Sequence, residues 1–129
     1  MEQTNDKALG LLGLARKAGK LQTGEETVSA MLAEKHARLT ILAADAGEAT
    51  VRKIRGMAAG TRQGVLTIPC DKLRLGAALG RPMVSVAAFA DVSMALAFVK
   101  ALPAGTADPE LLAELERRVA RVKAKRKRN

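Results

Sequence analysis

Three short apolar runs, each followed by a turn and then an amphipathic segment, dominate the middle of this chain. They are residues 38–44 (RLTILAA), 64–68 (GVLTI) and 83–88 (MVSVAA). Each has the length and β-branched content of a buried strand, and Pro69 stops the second. Asp45-Ala46-Gly47-Glu48 turns the chain after the first run. It can cap a helix reaching about Ala59, with Val51, Ile54 and Met57 or Ala58 apolar. Asp71 can cap a short helix through Leu73, Leu75 and Leu79 that Gly80 ends. Asp91 can cap a longer one carrying Val92, Ala95, Leu96, Phe98 and Val99. This alternation predicts an α/β fold, a three-layer α/β/α sandwich with a small mixed central sheet.

The flanks add helices. Asn5-Asp6 can cap a first helix through Leu9, Leu12 and Ala15, ended by Gly19 after Arg16 and Lys17. Lys20-Leu21-Gln22 reads as a short extended link. Thr23-Gly24-Glu25-Glu26 has the Thr-x-x-Glu form of a capping box opening a helix with Val28, Met31 and Leu32 inward. Downstream, Pro103-Ala104-Gly105 reads as a hinge, and Asp108-Pro109-Glu110 supplies a cap, a first-position proline and a first-turn acid. Leu112, Leu115, Val119 and Val122 then recur every three or four residues as a narrow apolar seam. The chain thus divides into a domain over residues 1–102 and a hinge with a basic C-terminal helical extension over 103–129. Two roles fit the seam: docking on its own domain, or facing a partner helix or RNA.

Charge carries the first functional signal. The net charge is +9, but residues 117–129 hold eight Lys/Arg and no acid, while residues 101–116 hold four acids and no base. Arg117, Arg118, Arg121, Lys123, Lys125, Arg126, Lys127 and Arg128 are therefore candidate phosphate contacts through counterion release. A solvated tail that aids solubility is the plainer reading. The two Phe residues, with no Tyr or Trp, argue against modules that stack splayed bases on surface aromatics.

The 48% apolar content of 129 residues suffices for one domain with a core. No apolar run reaches the roughly 18 residues of a membrane helix. The start of the chain lacks the basic-then-apolar pattern of a secretory signal. A single cysteine, Cys70, excludes an internal disulfide framework and suits a reducing compartment. The expectation is a cytoplasmic protein with no membrane contact, monomeric apart from RNA.

Catalytic chemistry has little to work with. His36 is the only histidine, which excludes multi-histidine metal sites and paired imidazoles. Cys70 follows a strand-ending proline and fits a small buried hydrophobe better than a nucleophile. The run Gly13 to Lys20 looks like a phosphate loop, but five residues separate its glycines rather than four, and Leu21 stands where Ser or Thr belongs. Nothing marks Glu25 and Glu26 as an acid–base couple. The reading is of a protein that is not an enzyme, with no metal and no cofactor.

Three segments together resemble a known family: LLGLARKAGKLQTGEETV from Leu11, RLTILAADAGEATVRKI from Arg38, and LRLGAALGRPMVSVAAF from Leu73. In order and spacing, over roughly residues 7–102, they look like the bacterial branch of the ribosomal L-seven-Ae/L-thirty-e family, whose best-known members bind kink-turn RNA. Its most specific parts are Lys17-Ala18-Gly19-Lys20 leading to Gly24-Glu25-Glu26, the Ala-x-Asp-Ala turn, and Leu75-Gly76-x-Ala-x-Gly80. The resemblance implies an α/β/α sandwich that grips RNA with one end. The N-terminus of the second helix would enter a widened major groove beside sheared G·A pairs, and the loop before the last strand would cover an extruded base. On this chain those parts are Thr23, Gly24, Glu25, Glu26 and Ser29, and Arg81 to Val86, with Met83, Val84 and Ser85 at its centre. Two positions depart from the family's Gly-x-Asn-Glu-x-x-Lys set: Glu25 stands for the Asn and Ser29 for the Lys.

The physics supports that placement separately. A helix N-terminus offers free amides and a positive dipole end to phosphate, and a carboxylate such as Glu26 can accept from a guanine or cytosine N–H. Glu26 can equally serve the capping box alone. Glu25 beside Glu26 needs offsetting cations, for which Arg16, Lys17 and Lys20 are the candidates. Arg52 and Lys53, with Arg55, either extend the cationic surface or form a solvated face. The expected function is non-catalytic binding of structured, kink-turn-like RNA, with ribosomal RNA and ribosomal proteins as candidate partners. The rival is a protein-interaction adaptor built on the C-terminal amphipathic basic helix.

Overall fold

A computed structural model describes residues 4–128, for Arg128 the backbone alone. The described residues form α1 (Asp6–Lys17), β1 (Leu21–Thr23), α2 (Glu25–Ala33), β2 (Leu39–Leu42), α3 (Glu48–Ala58), β3 (Gly64–Thr67), α4 (Lys72–Ala78), β4 (Val86–Phe89), α5 (Val92–Ala101) and α6 (Pro109–Arg128). The sheet has the order β1-β4-β2-β3, with β2 and β3 parallel and β4 antiparallel to both β1 and β2. It is the small mixed sheet expected.

Period-two alternation divides the apolar strand residues between two cores. Leu39 and Ile41 of β2, and Ala87 and Phe89 of β4, face a large core shared with α1, α4, α5 and α6. Leu42, Val86 and Ala88 face a smaller core under α2 and α3. Helices therefore cover both faces of the sheet. The only two phenylalanines meet in the large core, ring centroids 5.6 Å apart.

Local caps follow the sequence at most helix starts. Asn5 Oδ1 accepts from the Ala8 N–H, Asp71 Oδ1 from Arg74, and Asp91 Oδ2 from Met94. Asp45 departs from its expected role. It caps not the helix that follows but α4, accepting the Lys72 N–H at 2.8 Å, while Gly47 begins α3 without a side-chain cap. Tertiary proximity of the β2–α3 turn to the start of α4 wins over the local option.

Three expectations are corrected, and one choice left open is decided. The link at residues 20–22 is the edge strand β1, too short to show a period of its own. The last strand begins at Val86, not Met83, because residues 81–84 run back along α4: Arg81 N–H donates to Gly76 O and Val84 N–H to Lys72 O. The capping box does not form. Thr23 is the last residue of β1, paired with Ala87, and Gly24 becomes the N-cap of α2 with no side-chain cap. Finally, the C-terminal seam is neither loose nor open to a partner helix. Leu115 and Val119 are buried in the large core against α5, with Leu111, Leu112 and Val122 partly buried beside them. The adaptor reading loses the face it needed.

Candidate nucleic-acid interface

One end of the sheet gathers the C-terminal ends of β1, β2 and β3 and the start of β4. There the Gly24 N–H donates to Val86 O, which locks the first residue of the α2 cap onto the first residue of β4. Gly24 has φ +100, a conformation that costs side-chain-bearing residues dearly. A Cβ built on it would meet nothing within 4 Å, so the surface there is open for a close approach. The uncapped first turn of α2 offers its amides at the same place.

The opposite wall of this cleft is the loop from Arg81 to Ser85, and Gly76 is what permits it. A Cβ on Gly76 would stand 2.7 Å from Arg81 O and 2.8 Å from both the backbone nitrogen and the Cα of Met83. The resulting cleft of about 370 Å³ is lined by Thr23, Gly24, Glu25, Thr50, Arg81, Met83, Val84, Ser85 and Val86. Met83 is 52% exposed at its rim, whereas Val84 is 4% exposed and packs into the large core.

The structure thus brings Thr23, Gly24, Glu25, Arg81, Met83, Val84 and Ser85 together. It separates others from them. Lys20 lies at the far end of β1, where its carbonyl accepts from Ala90, and Lys17 precedes it; about 10 Å of strand intervenes. The cation beside Glu25 is instead Lys53 of α3, at 3.8 Å. Glu26 is exposed and has no protein partner among the described residues. Ser29 is half-buried, its hydroxyl covered and without a hydrogen bond, so it does not stand in for the family's lysine. Arg52 is exposed on α3 without an ion pair among the described residues. Thr50 of α3 also lines the cleft, and a threonine in a helix's first turn carries no sequence pattern that marks it.

The C-terminal cations are sorted by the fixed face of α6. Glu114 accepts from Arg117 at 2.7 Å and from Arg118 Nε at 3.2 Å, and it lies 3.7 Å from Arg121. These hydrogen bonds hold its carboxyl below the usual range. Arg118 also donates to Arg62 O at 2.6 Å and ties α6 to the body. Lys123, Lys125, Arg126 and Lys127 are exposed, and the side chain of Arg128 lies outside the described residues. Cys70 is 3% exposed, and burial pushes its thiol pKa up, the opposite of an activated nucleophile. Among the described residues no cluster of three metal-ligating side chains occurs, and no helix is long and apolar enough to cross a membrane.

The fold is that of a known class of small α/β/α proteins. Residues 6–98 match the model of the Ribosomal protein L7Ae/L30e/S12e/Gadd45 family, and the chain belongs to that family. It is 36% identical over 72 residues to the RNA-binding protein YlxQ of Enterococcus faecium; the match takes in 56% of this chain and 65% of that protein's length. A Bacillus halodurans protein of unknown function superposes with a TM-score of 0.69 at 30% identity, covering 75% of this chain and 97% of that one. The Giardia lamblia 15.5kD RNA binding protein shares the fold at 16% identity, with a TM-score of 0.55 over 96% of this chain and 94% of its own.

Proposed function

We propose that this is a non-catalytic RNA-binding protein that recognises structured, kink-turn-like RNA at the Gly24 cleft. The observation that carries the reading is the juxtaposition of an uncapped helix N-terminus at Gly24 with a loop held against α4 by Gly76. Together they leave a concave site next to amides that carry no side-chain cap. Family membership and the name of the Enterococcus relative support the same class of ligand. Glu26, exposed in the first turn of α2 next to the cleft-lining Glu25 and free of any capping role, is the side chain we assign to accept base N–H groups. Met83, at the rim, is placed to cover an unstacked base. A cytoplasmic site of action, with ribosomal RNA and ribosomal proteins as the neighbours to look for, is part of the reading.

The test compares a kink-turn RNA with a plain duplex of equal charge. Glu26→Ala removes one charge-assisted hydrogen bond and should weaken kink-turn binding about 10- to 100-fold. Duplex binding should be nearly unchanged. Because Glu26 does not cap α2, the variant should stay within about 0.5 kcal/mol of wild-type stability. Equal losses on both RNAs would remove the helix terminus from recognition.

A further inference from the structure

The other end of the sheet holds a second concavity, larger than the first. It is a groove of about 650 Å³ where α6 passes over the starts of β2 and β3. Six cations line it, Lys35, Arg38, Arg62, Arg118, Arg121 and Lys125, and no carboxylate does. Arg118 and Arg121 are partly satisfied by Glu114, but Lys35, Arg38, Arg62 and Lys125 have no ion pair among the described residues. Cations gathered along a concave surface focus a positive field more than the same charges spread over a convex face.

The groove is also built, not incidental. The side chain of Gln63, 7% exposed, accepts from Ala37 N–H and donates to Leu32 O, which fastens the turn before β3 to the turn before β2. Docking of α6 adds the other wall, and Arg118, Arg121 and Lys125 fall on one face of it at helical spacing. Lys35 sits in the left-handed region at φ +61, closing α2 where glycine is usual: its N–H donates to Leu32 O and that of His36 to Met31 O. A lysine there carries backbone strain that a glycine would not, yet it sets an ammonium group on the groove's edge.

We infer that this groove is a second RNA site, one that takes a phosphodiester backbone, so that the protein contacts two separate stretches of one RNA. The absence of aromatic residues from the lining argues for backbone over bases as the ligand. The inference rests on the RNA-binding reading above, but it concerns the opposite end of the sheet. Four strand residues, about 13 Å, and the flanking loops lie between the two sites. An RNA confined to the Gly24 cleft would leave the groove empty, and a longer helical arm would reach it.

Two RNAs test this: a kink-turn trimmed to its core, and the same kink-turn with one helical arm extended. Affinities would be titrated between about 50 and 200 mM salt for wild type, for Glu26→Ala, and for a groove variant carrying Lys35→Gly, Arg38→Gln, Arg62→Gln and Lys125→Gln. If each groove cation meets one phosphate, the groove variant's log–log salt slope on the extended RNA flattens by about 3.6, so it loses about 150-fold less affinity than wild type across that range. On the trimmed RNA its slope should match wild type. Lys35→Gly alone relieves strain, so it should be at least as stable as wild type while still flattening the slope by about 0.9. Unchanged slopes in both groove variants overturn the inference, as does a groove that binds inorganic tripolyphosphate while contributing nothing to RNA. Weakened binding to both RNAs confined to Glu26→Ala, with groove variants like wild type, leaves the cleft reading standing and the groove refuted. A wild-type protein that binds neither RNA overturns both.

Discussion

A methyl group on Gly76 would press within 2.8 Å of three backbone atoms of the 81–83 loop, and a backbone cannot swing aside as a side chain can. Gly76→Ala should therefore cost about 1–3 kcal/mol and displace the wall of the cleft. Urea denaturation and RNA titration should report both losses together. Glu26 offers the reverse case, with binding lost and stability kept. Glu114 gives a pH dependence. Its folded-state pKa is lowered by hydrogen bonds from Arg117 and Arg118, so its contribution is fully present above the ordinary glutamate value of about 4.3 and disappears as pH falls through the lower folded value. Glu114→Gln should flatten the acid limb of the stability profile in that window, as read by thermal unfolding. An acid limb identical to wild type would separate these contacts from stability.

At the level of elements, α6 is the one whose meaning changed most. Its sequence shows a seam and a basic run, and the seam alone fits either docking on the domain or facing a partner. In the structure Leu115 is 1% exposed and Val119 8%, so the helix is an outer layer of the large core. Leu115→Ala should cost about 2–5 kcal/mol, measured by chemical unfolding, with no partner needed to explain the loss. Deleting residues 117–129 would remove Val119 along with the charges, confusing stability with phosphate contact. Charge-neutralising substitutions are the cleaner probe. Edge strand β1 teaches a related lesson. Three residues cannot display alternation, yet their pairing with β4 decides that Gly24, not Thr23, begins α2.

For the molecule as a whole, the two ends of the sheet have different characters. The Gly24 cleft is lined by one cation and one carboxylate, Arg81 and Glu25, and it is suited to reading shape. The groove under α6 is cationic and suited to holding backbone. Weak salt dependence on a minimal kink-turn and steep dependence on a long-armed one is the signature expected of this division. Net charge of +9 read from composition could not distinguish it from a uniformly basic surface.

Legible in the sequence were the α/β/α class, the family, the helix caps at Asn5, Asp71 and Asp91, and the two segments that form the Gly24 cleft, though not Thr50. These are local or short-range signals, carried by periodicity, capping chemistry and glycines at fixed spacing. Only the tertiary structure decided that Asp45 caps α4 rather than α3, that Lys53 and not Lys17 or Lys20 faces Glu25, and that α6 lies on its own core. It alone set Lys35, Arg38 and Arg62 opposite Arg118, Arg121 and Lys125. Each of these depends on contacts between residues far apart in sequence, where no periodic pattern records which surfaces will meet.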